Sequence, residues 1–234
     1  MTFPAPSDLA AALRELLLWH GADDVGFSAP EDAAAQFSGL PYAISLVVRL
    51  SDAVIDEIDT APTHTYFHHY RTVNAQLDRL ALLTGRFIQQ HGGRYIAVGA
   101  SQSINADGWQ YRGRYSHKKA AVLAGLGSVG KSSLFLHRTW GPRVRLVTIF
   151  TDLPFPVYEG SPLACPCGSC TLCRTACPAG AITGELWEPG KPRSELFLPE
   201  NCSLYMKKQF QHIGRGAVCG ICMKVCPKGK GRRG

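Results

Sequence analysis

Cys167-Gly-Ser-Cys170-Thr-Leu-Cys173-Arg-Thr-Ala-Cys177-Pro178 advances from cysteine to cysteine by steps of two, two and three intervening residues and closes on a proline. Its closing half returns downstream as Cys219-Gly-Ile-Cys222-Met-Lys-Val-Cys226-Pro227. Short steps let three sulfurs converge on one inorganic cluster, while the three-residue step and the proline turn the chain away and send the fourth sulfur to a second one. The downstream run supplies three thiols, and Cys202 the one it lacks. Eight ligands in this pattern point to two [4Fe-4S] clusters.

The spacing is that of the two-cluster bacterial ferredoxins, whose crossed rule sets the expected ligands: Cys167, Cys170, Cys173 and Cys226 for the first cluster, and Cys177, Cys202, Cys219 and Cys222 for the second. Cys165 is left over. A disulfide framework is the first competing reading, but the N-terminus carries no secretory signal, and in a cytosolic chain such cysteines favour metal. A four-cysteine zinc site is the second. It explains two Cys-x2-Cys pairs and leaves the partly repeated run ending in Pro unexplained.

All nine cysteines lie between Cys165 and Cys226 of a 234-residue chain, so composition marks a boundary. The expected organisation is α+β, with a cofactor-binding α/β domain over 1–160, a two-cluster ferredoxin-like domain over 161–227 and a basic tail over 228–234, where Lys228, Lys230, Arg232 and Arg233 suggest disorder. The net charge of +7 favours anionic partners without choosing among nucleic acid, acidic protein and a phosphate-bearing cofactor. No apolar run approaches the ~20 residues of a membrane span, and Met1 to Pro6 lacks a charged leader. A cytoplasmic protein with no membrane partner is expected.

Along the first domain, Ser7 or Asp8 caps a helix through His20, stopped by Gly21. Strands are expected at Val25–Ser28 and Tyr42–Leu50, the second buried on both faces, with a loop between them. Phe67, Tyr70, Val73, Leu77, Leu80, Leu83 and Phe87 describe one amphipathic helix over 64–90, ended by Gly92-Gly93 and followed by a strand over 94–100. His64, His68 and His69 invite a metal, since His64 and His68 share a helix face; local hydrogen bonding is the alternative. Asn105 to Gly113 reads as a loop bearing Trp109 and Tyr111.

Gly125-Leu-Gly-Ser-Val-Gly130-Lys131-Ser132 matches both a nucleotide P-loop and a dinucleotide fingerprint, with Asp152, after a strand over 143–150, as the Mg-binding or ribose-binding acid. Both motifs need a buried strand entering the first glycine. Ser116 to Ala124 offers helical chemistry instead, a helix ending at Gly125. What remains is close backbone approach at the glycines and amides leading into a helix at Ser132, suited to a phosphate or amide-rich ligand.

These residues resemble the cobalamin-dependent iron–sulfur reductases, the group containing the epoxyqueuosine reductases and, more distantly, the reductive dehalogenases. The likeness is carried by Ala124-Gly-Leu-Gly-Ser-Val-Gly-Lys131, Thr151-Asp-Leu-Pro-Phe-Pro156, the double-cluster run, His68-His-Tyr70, Asn74 and Ser116-His117-Lys118, over roughly residues 40 to 227. It implies a nitroreductase-like α/β domain binding a corrinoid, and a ferredoxin domain beside it. Gly125, Leu126, Gly127, Val129, Gly130, Lys131 and Ser132 would line the corrin, Thr151 and Asp152 would close the pocket, and Tyr205 would lie near the corrin or a cluster.

No Asp-x-His-x-x-Gly is present, in keeping with base-off cobalamin. The donors would be low-potential clusters, roughly −400 mV in comparable ferredoxins, fed by an external ferredoxin or flavodoxin. Where the epoxyqueuosine reductases carry Asp-x-x-Pro-x-x-Glu, this chain has Tyr111 and neither proline nor glutamate, so Tyr111 or Tyr115 becomes the expected proton donor, with Asp107 and His117 behind them. The chain ends at Gly234, where that family continues into an RNA-binding extension. The expected substrate is therefore a small molecule or modified nucleoside, with tRNA doubtful. A non-catalytic electron-transfer or cobalamin-reducing partner, and a flavin- or nucleotide-dependent oxidoreductase, are the alternatives.

Overall fold

The computed structural model describes residues 5–104, 106, 111–188, 191–214 and 218–229. Asp107, Trp109 and Lys230 to Arg233 lie outside them. The chain separates into two compact units, each of three segments: Met1–Val48, Val73–Leu126 and Arg145–Leu163 in one, Arg49–Thr72, Gly127–Val144 and Ala164–Gly234 in the other.

In the first unit, helix α1 (Pro6–Trp19) buries Leu9, Ala10, Leu13 and Leu17 and packs on strand β1 (Asp24–Ser28). Its N-cap is Ala5 with Pro6 at the start, and no side chain caps it. The fixed φ of proline suits that position, so Ser7 and Asp8 fall inside the helix. Gly21 at φ +93 ends it. A short α2 (Ala33–Gln36) occupies the stretch expected as loop, then strand β2 follows (Tyr42–Arg49). Helix α3 (Asp52–Asp56) belongs to the second unit, as does the start of α4 (His64–Gln90), which continues in the first from Val73. Val73, Leu77, Leu80 and Ile88 are buried along α4, and Gly92 beyond its end takes φ +77.

Strand β3 (Tyr95–Val98) leads to α5 (His117–Leu123), whose cap is Ser116, its hydroxyl accepting the Lys119 amide. Strands β4 (Gly127–Val129), β5 (Phe135–His137) and β6 (Val144–Thr151) follow. Four strands form one sheet in the order β1-β2-β6-β3, with β1 antiparallel to β2 (Asp24 opposite Val47) and β3 antiparallel to β6 (Tyr95 opposite Thr151). The central strands β2 and β6 are buried almost throughout, as a strand covered on both faces requires. Beside them Phe37 stacks on Phe150 at 3.8 Å, and Tyr115 meets Phe150 edge-on at 4.8 Å.

In the second unit β4 and β5 pair antiparallel, Gly127 opposite His137. The described residues then form helices α6 (Leu172–Thr175), α7 (Arg193–Leu196), α8 (Pro199–Gly214) and α9 (Ile221–Lys224), followed by a 3-10 turn at Pro227–Gly229. That turn is ordered and buries Gly229 against Arg143, so the tail expected from Lys228 onward begins with packed chain. Among the described residues no helix is long and apolar enough to cross a membrane.

Candidate iron–sulfur centre

The partial sequence repeat becomes a structural one. Cys170-x2-Cys173 encloses the start of α6 and Cys219-x2-Cys222 the start of α9, and the two short helices pack together. Each ends in the same pair of turns. The Cys177 amide donates to Arg174 O at 3.2 Å and the Cys226 amide to Met223 O at 3.3 Å, and beyond each proline Gly180 and Gly229 donate back to Cys177 O and Cys226 O, both at 3.1 Å. Proline ends each helix by removing a donor, and the cysteine before it leaves on a different course from the pair that opens the helix.

All nine cysteines are free thiols and half-buried, so no disulfide framework exists. Their electrostatic neighbours fall into two sets. Burial raises the Cys173 thiol, and the charges of Cys167, Cys226 and Cys170 raise it further. Cys226 is raised by burial and by Cys167 and Cys170, with the Lys228 and Gly229 amides opposing. Cys202 is pushed up to about 11 by burial, Cys219 and Cys177. Cys222 is raised by burial, then by Cys219, Cys202 and Cys177, and last by Cys173. The structure thus brings Cys167, Cys170, Cys173 and Cys226 together, and Cys177, Cys202, Cys219 and Cys222 together. Crowded thiols resist ionisation because each new charge repels the rest; a cationic core that binds all four as thiolates removes that cost, and soft sulfur donors suit iron–sulfur clusters. The donor sets fit two such clusters. Cys165, raised to about 11 by burial and by its hydrogen bond with Cys167, stands next to the first set.

The glycine segment keeps the expected helix into Gly125 and departs from expectation at Ser132. Gly125 follows α5 at φ +69, and a Cβ there would meet the Tyr158 ring at 2.7 Å; at Gly127 it would lie 2.1 Å from Leu136 O across the β4–β5 pair. Both glycines are required by the protein's own close packing. Neither phosphate motif is formed, since α5, not a strand, enters Gly125. Nor does a helix begin at Ser132. Residues 130–134 make a hairpin turn instead, with Gly130 N donating to Leu134 O at 2.9 Å, Ser133 N to Gly130 O at 2.8 Å, and Ser133 at φ +57.

Leu126, Val129, Lys131 and Ser132 are buried. Lys131 Nζ donates to Gly168 O at 2.7 Å, a contact between residues far apart in sequence that no local pattern announces. Thr151 ends β6 fully buried, its hydroxyl accepting the Leu153 amide at 3.1 Å. Asp152 accepts the amide and Nε of Arg94, both at 2.7 Å. Those bonds outweigh the upward push of partial burial and hold its carboxyl below the usual range, so the acid is engaged by an arginine. Tyr205 lies on α8, edge-on to Phe210 at 5.6 Å.

The proton-donor candidates part company. Tyr115 is buried and donates its hydroxyl to Asp32 at 3.0 Å; burial and the Asp32 carboxylate push its pKa upward. His117 is held through both nitrogens, Nδ1 at 2.9 Å from Thr148 Oγ1 and Nε2 at 3.1 Å from Gly99 O. Tyr111 is half-exposed and takes φ +58, an uncommon conformation for a residue with a Cβ. Of the α4 histidines, His69 accepts the Ser51 amide through Nε2 at 3.0 Å. Among the described residues no three metal-binding side chains converge to hold a single ion.

Residues 166–229 match the family described as 4Fe-4S double cluster binding domain. Epoxyqueuosine reductase of Bacillus anthracis is 32% identical over 122 residues, 51% of this chain and 31% of the relative. The match thus spans about a third of the length of that relative. Among solved structures, a reductive dehalogenase, described with a mechanism for B12-dependent dehalogenation, superposes with TM-score 0.76 at 22% identity over 97% of this chain and 32% of its own. An epoxyqueuosine reductase bound to an epoxyqueuosine-modified tRNA-Tyr stem loop superposes with TM-score 0.59 at 19% identity over 96% of this chain and 66% of its own. The resemblance is therefore present in sequence to the epoxyqueuosine reductases, and in fold to both groups.

Proposed function

We propose that the chain is an iron–sulfur reductase carrying electrons from an external low-potential donor through two [4Fe-4S] clusters to a base-off cobalamin and on to a substrate. The observation that supports this reading most is the division of eight thiols into two sets of four, each drawing on both halves of the repeat. Cys167, Cys170, Cys173 and Cys226 hold one cluster in this reading, and Cys177, Cys202, Cys219 and Cys222 the other. Bound there, the clusters supply a one-electron relay, and cobalamin a reducible cobalt.

The cobalamin step takes its support from the dehalogenase likeness, and not from the glycines, whose geometry their own packing explains. Gly125, Leu126, Gly127, Val129, Gly130, Lys131, Ser132, Thr151, Asp152 and Tyr205 remain the proposed corrin-side residues, and the α/β portion the nitroreductase-like part. Tyr111 is the proposed proton donor. Tyr115, its hydroxyl given to Asp32, holds the core. The substrate class proposed is a small molecule or modified nucleoside; tRNA enters only through the relative bound to a stem loop.

Anaerobic reconstitution followed by cob(II)alamin titration tests this. The expected result is about eight iron and eight sulfide per chain, and a cobalt EPR signal without nitrogen splitting. Four iron per chain overturns the two-cluster reading, and an unchanged cobalt signal overturns the cobalamin step alone.

A further inference from the structure

We infer that Lys131 is a positioning residue for the first cluster: it pins the Cys167–Cys170 turn through the Gly168 carbonyl and sets a fixed cation beside it, raising that cluster's potential. The inference rests on the two-cluster reading above. An ammonium group is seldom buried without a partner, and Lys131 is 9% exposed. Its Nζ donates to Gly168 O at 2.7 Å, the residue directly after ligand Cys167.

The turn it reaches is closed on itself, the Cys170 amide donating to Cys167 O at 2.9 Å. Gly168 sits at φ +48 with open space where a Cβ would point, so side-chain packing does not hold this peptide. Lys131 reaches it from outside. The lysine is itself carried on the β4–β5 hairpin turn, tied by the Gly130–Leu134 and Ser133–Gly130 hydrogen bonds. The hairpin fixes the backbone at Lys131, and burial together with the Gly168 bond holds its ammonium.

Cluster potentials respond to net charge and to hydrogen bonding around the sulfurs. Reduction adds one negative charge to the cluster, and a nearby cation in a partly desolvated position stabilises that state more than the oxidised one. A phosphate-loop lysine would instead extend toward an anion at a helix start, and no helix starts at Ser132.

The test compares Lys131→Met, which removes charge and donor, with Lys131→Arg, which keeps both, in the full chain after anaerobic reconstitution. Iron and sulfide are counted first, and each cluster is then titrated by EPR. In the methionine variant the reduced-to-oxidised ratio of one cluster, the one that Cys170→Ser disturbs, is expected to fall about tenfold at fixed poise, about 59 mV for a one-electron couple; the arginine variant stays near wild type. If methionine prevents loading, Lys131→Gln supplies the same comparison with a neutral donor. Wild-type protein that loads both clusters while the neutral variants titrate unchanged overturns the role of Lys131 and leaves the cluster reading standing. Wild-type protein that does not load overturns the reading itself.

Discussion

With Nδ1 2.9 Å from Thr148 Oγ1 and Nε2 3.1 Å from Gly99 O, the His117 ring is held as a neutral tautomer. A carbonyl can only accept, so Nε2 carries the proton and Nδ1 accepts from the threonine hydroxyl. Burial pushes the pKa down to about 4, with the Gly99 carbonyl opposing and Arg145 adding to the fall. The unfolded ring titrates near 6.5, so between those values the unfolded chain binds a proton that the folded chain does not. Folding is then favoured in full above about 6.5 and loses this contribution, about 3 kcal/mol at most, as pH falls toward 4. His117→Gln is expected to flatten the pH dependence of the urea midpoint across that window. An unaltered slope would show that another group controls it. In the sequence His117 is a titratable residue at the start of a helix, and so a reserve candidate for proton donor. What separates a relay from a buried, doubly bonded ring is Thr148 and Gly99, and neither is near it in sequence.

Elements were legible where local chemistry and burial agreed. Helix α4 runs over the residues its apolar spacing marks, because a long amphipathic stripe and two closing glycines leave no competing structure. The helix into Gly125 was legible for a related reason, since Ser116 caps and alanines propagate. The hairpin after it was not. Ser133 at φ +57 and a glycine facing Leu136 O are consequences of strand pairing, and a Gly-Lys-Ser-Ser string does not state which strand it faces. The cysteine repeat is the opposite case, because ligand spacing constrains the backbone directly. Helices α6 and α9 end in matching turns that send Cys177 and Cys226 away from the pairs that open them. Cys226→Ser is therefore expected to disturb the same EPR signal as Cys170→Ser, and Cys177→Ser the same one as Cys219→Ser. If Cys226→Ser and Cys219→Ser perturb one signal in common, the crossed ligand map is wrong.

At the scale of the molecule, the unit that contains every cysteine also includes Arg49–Thr72 and Gly127–Val144, whereas composition alone suggests a single cut near residue 160. The reason is a set of contacts between residues far apart in the chain. Arg143, 1% exposed, donates to Asp52 Oδ1 at 2.9 Å and Asp56 Oδ1 at 2.8 Å, and Lys224 of α9 donates to the Asp56 carbonyl. Gly220 packs on Ile58 and Tyr66, and Gly229 on the Arg143 side chain. The segment bearing Cys219, Cys222 and Cys226 thus rests on residues more than 70 positions earlier. Breaking a buried ion pair from one side typically costs about 3–5 kcal/mol; the two aspartates here are partly exposed and solvent would lower that figure. A fragment beginning at Ala164 lacks Arg143, both aspartates and Lys131. It is expected to lose its visible cluster absorption in urea at a lower midpoint than the full chain, and Arg143→Met in the full chain is expected to reproduce part of that loss. A fragment that keeps all of its iron at the full-chain midpoint would mean that the cysteine region folds on its own, and that these contacts are not needed to hold it.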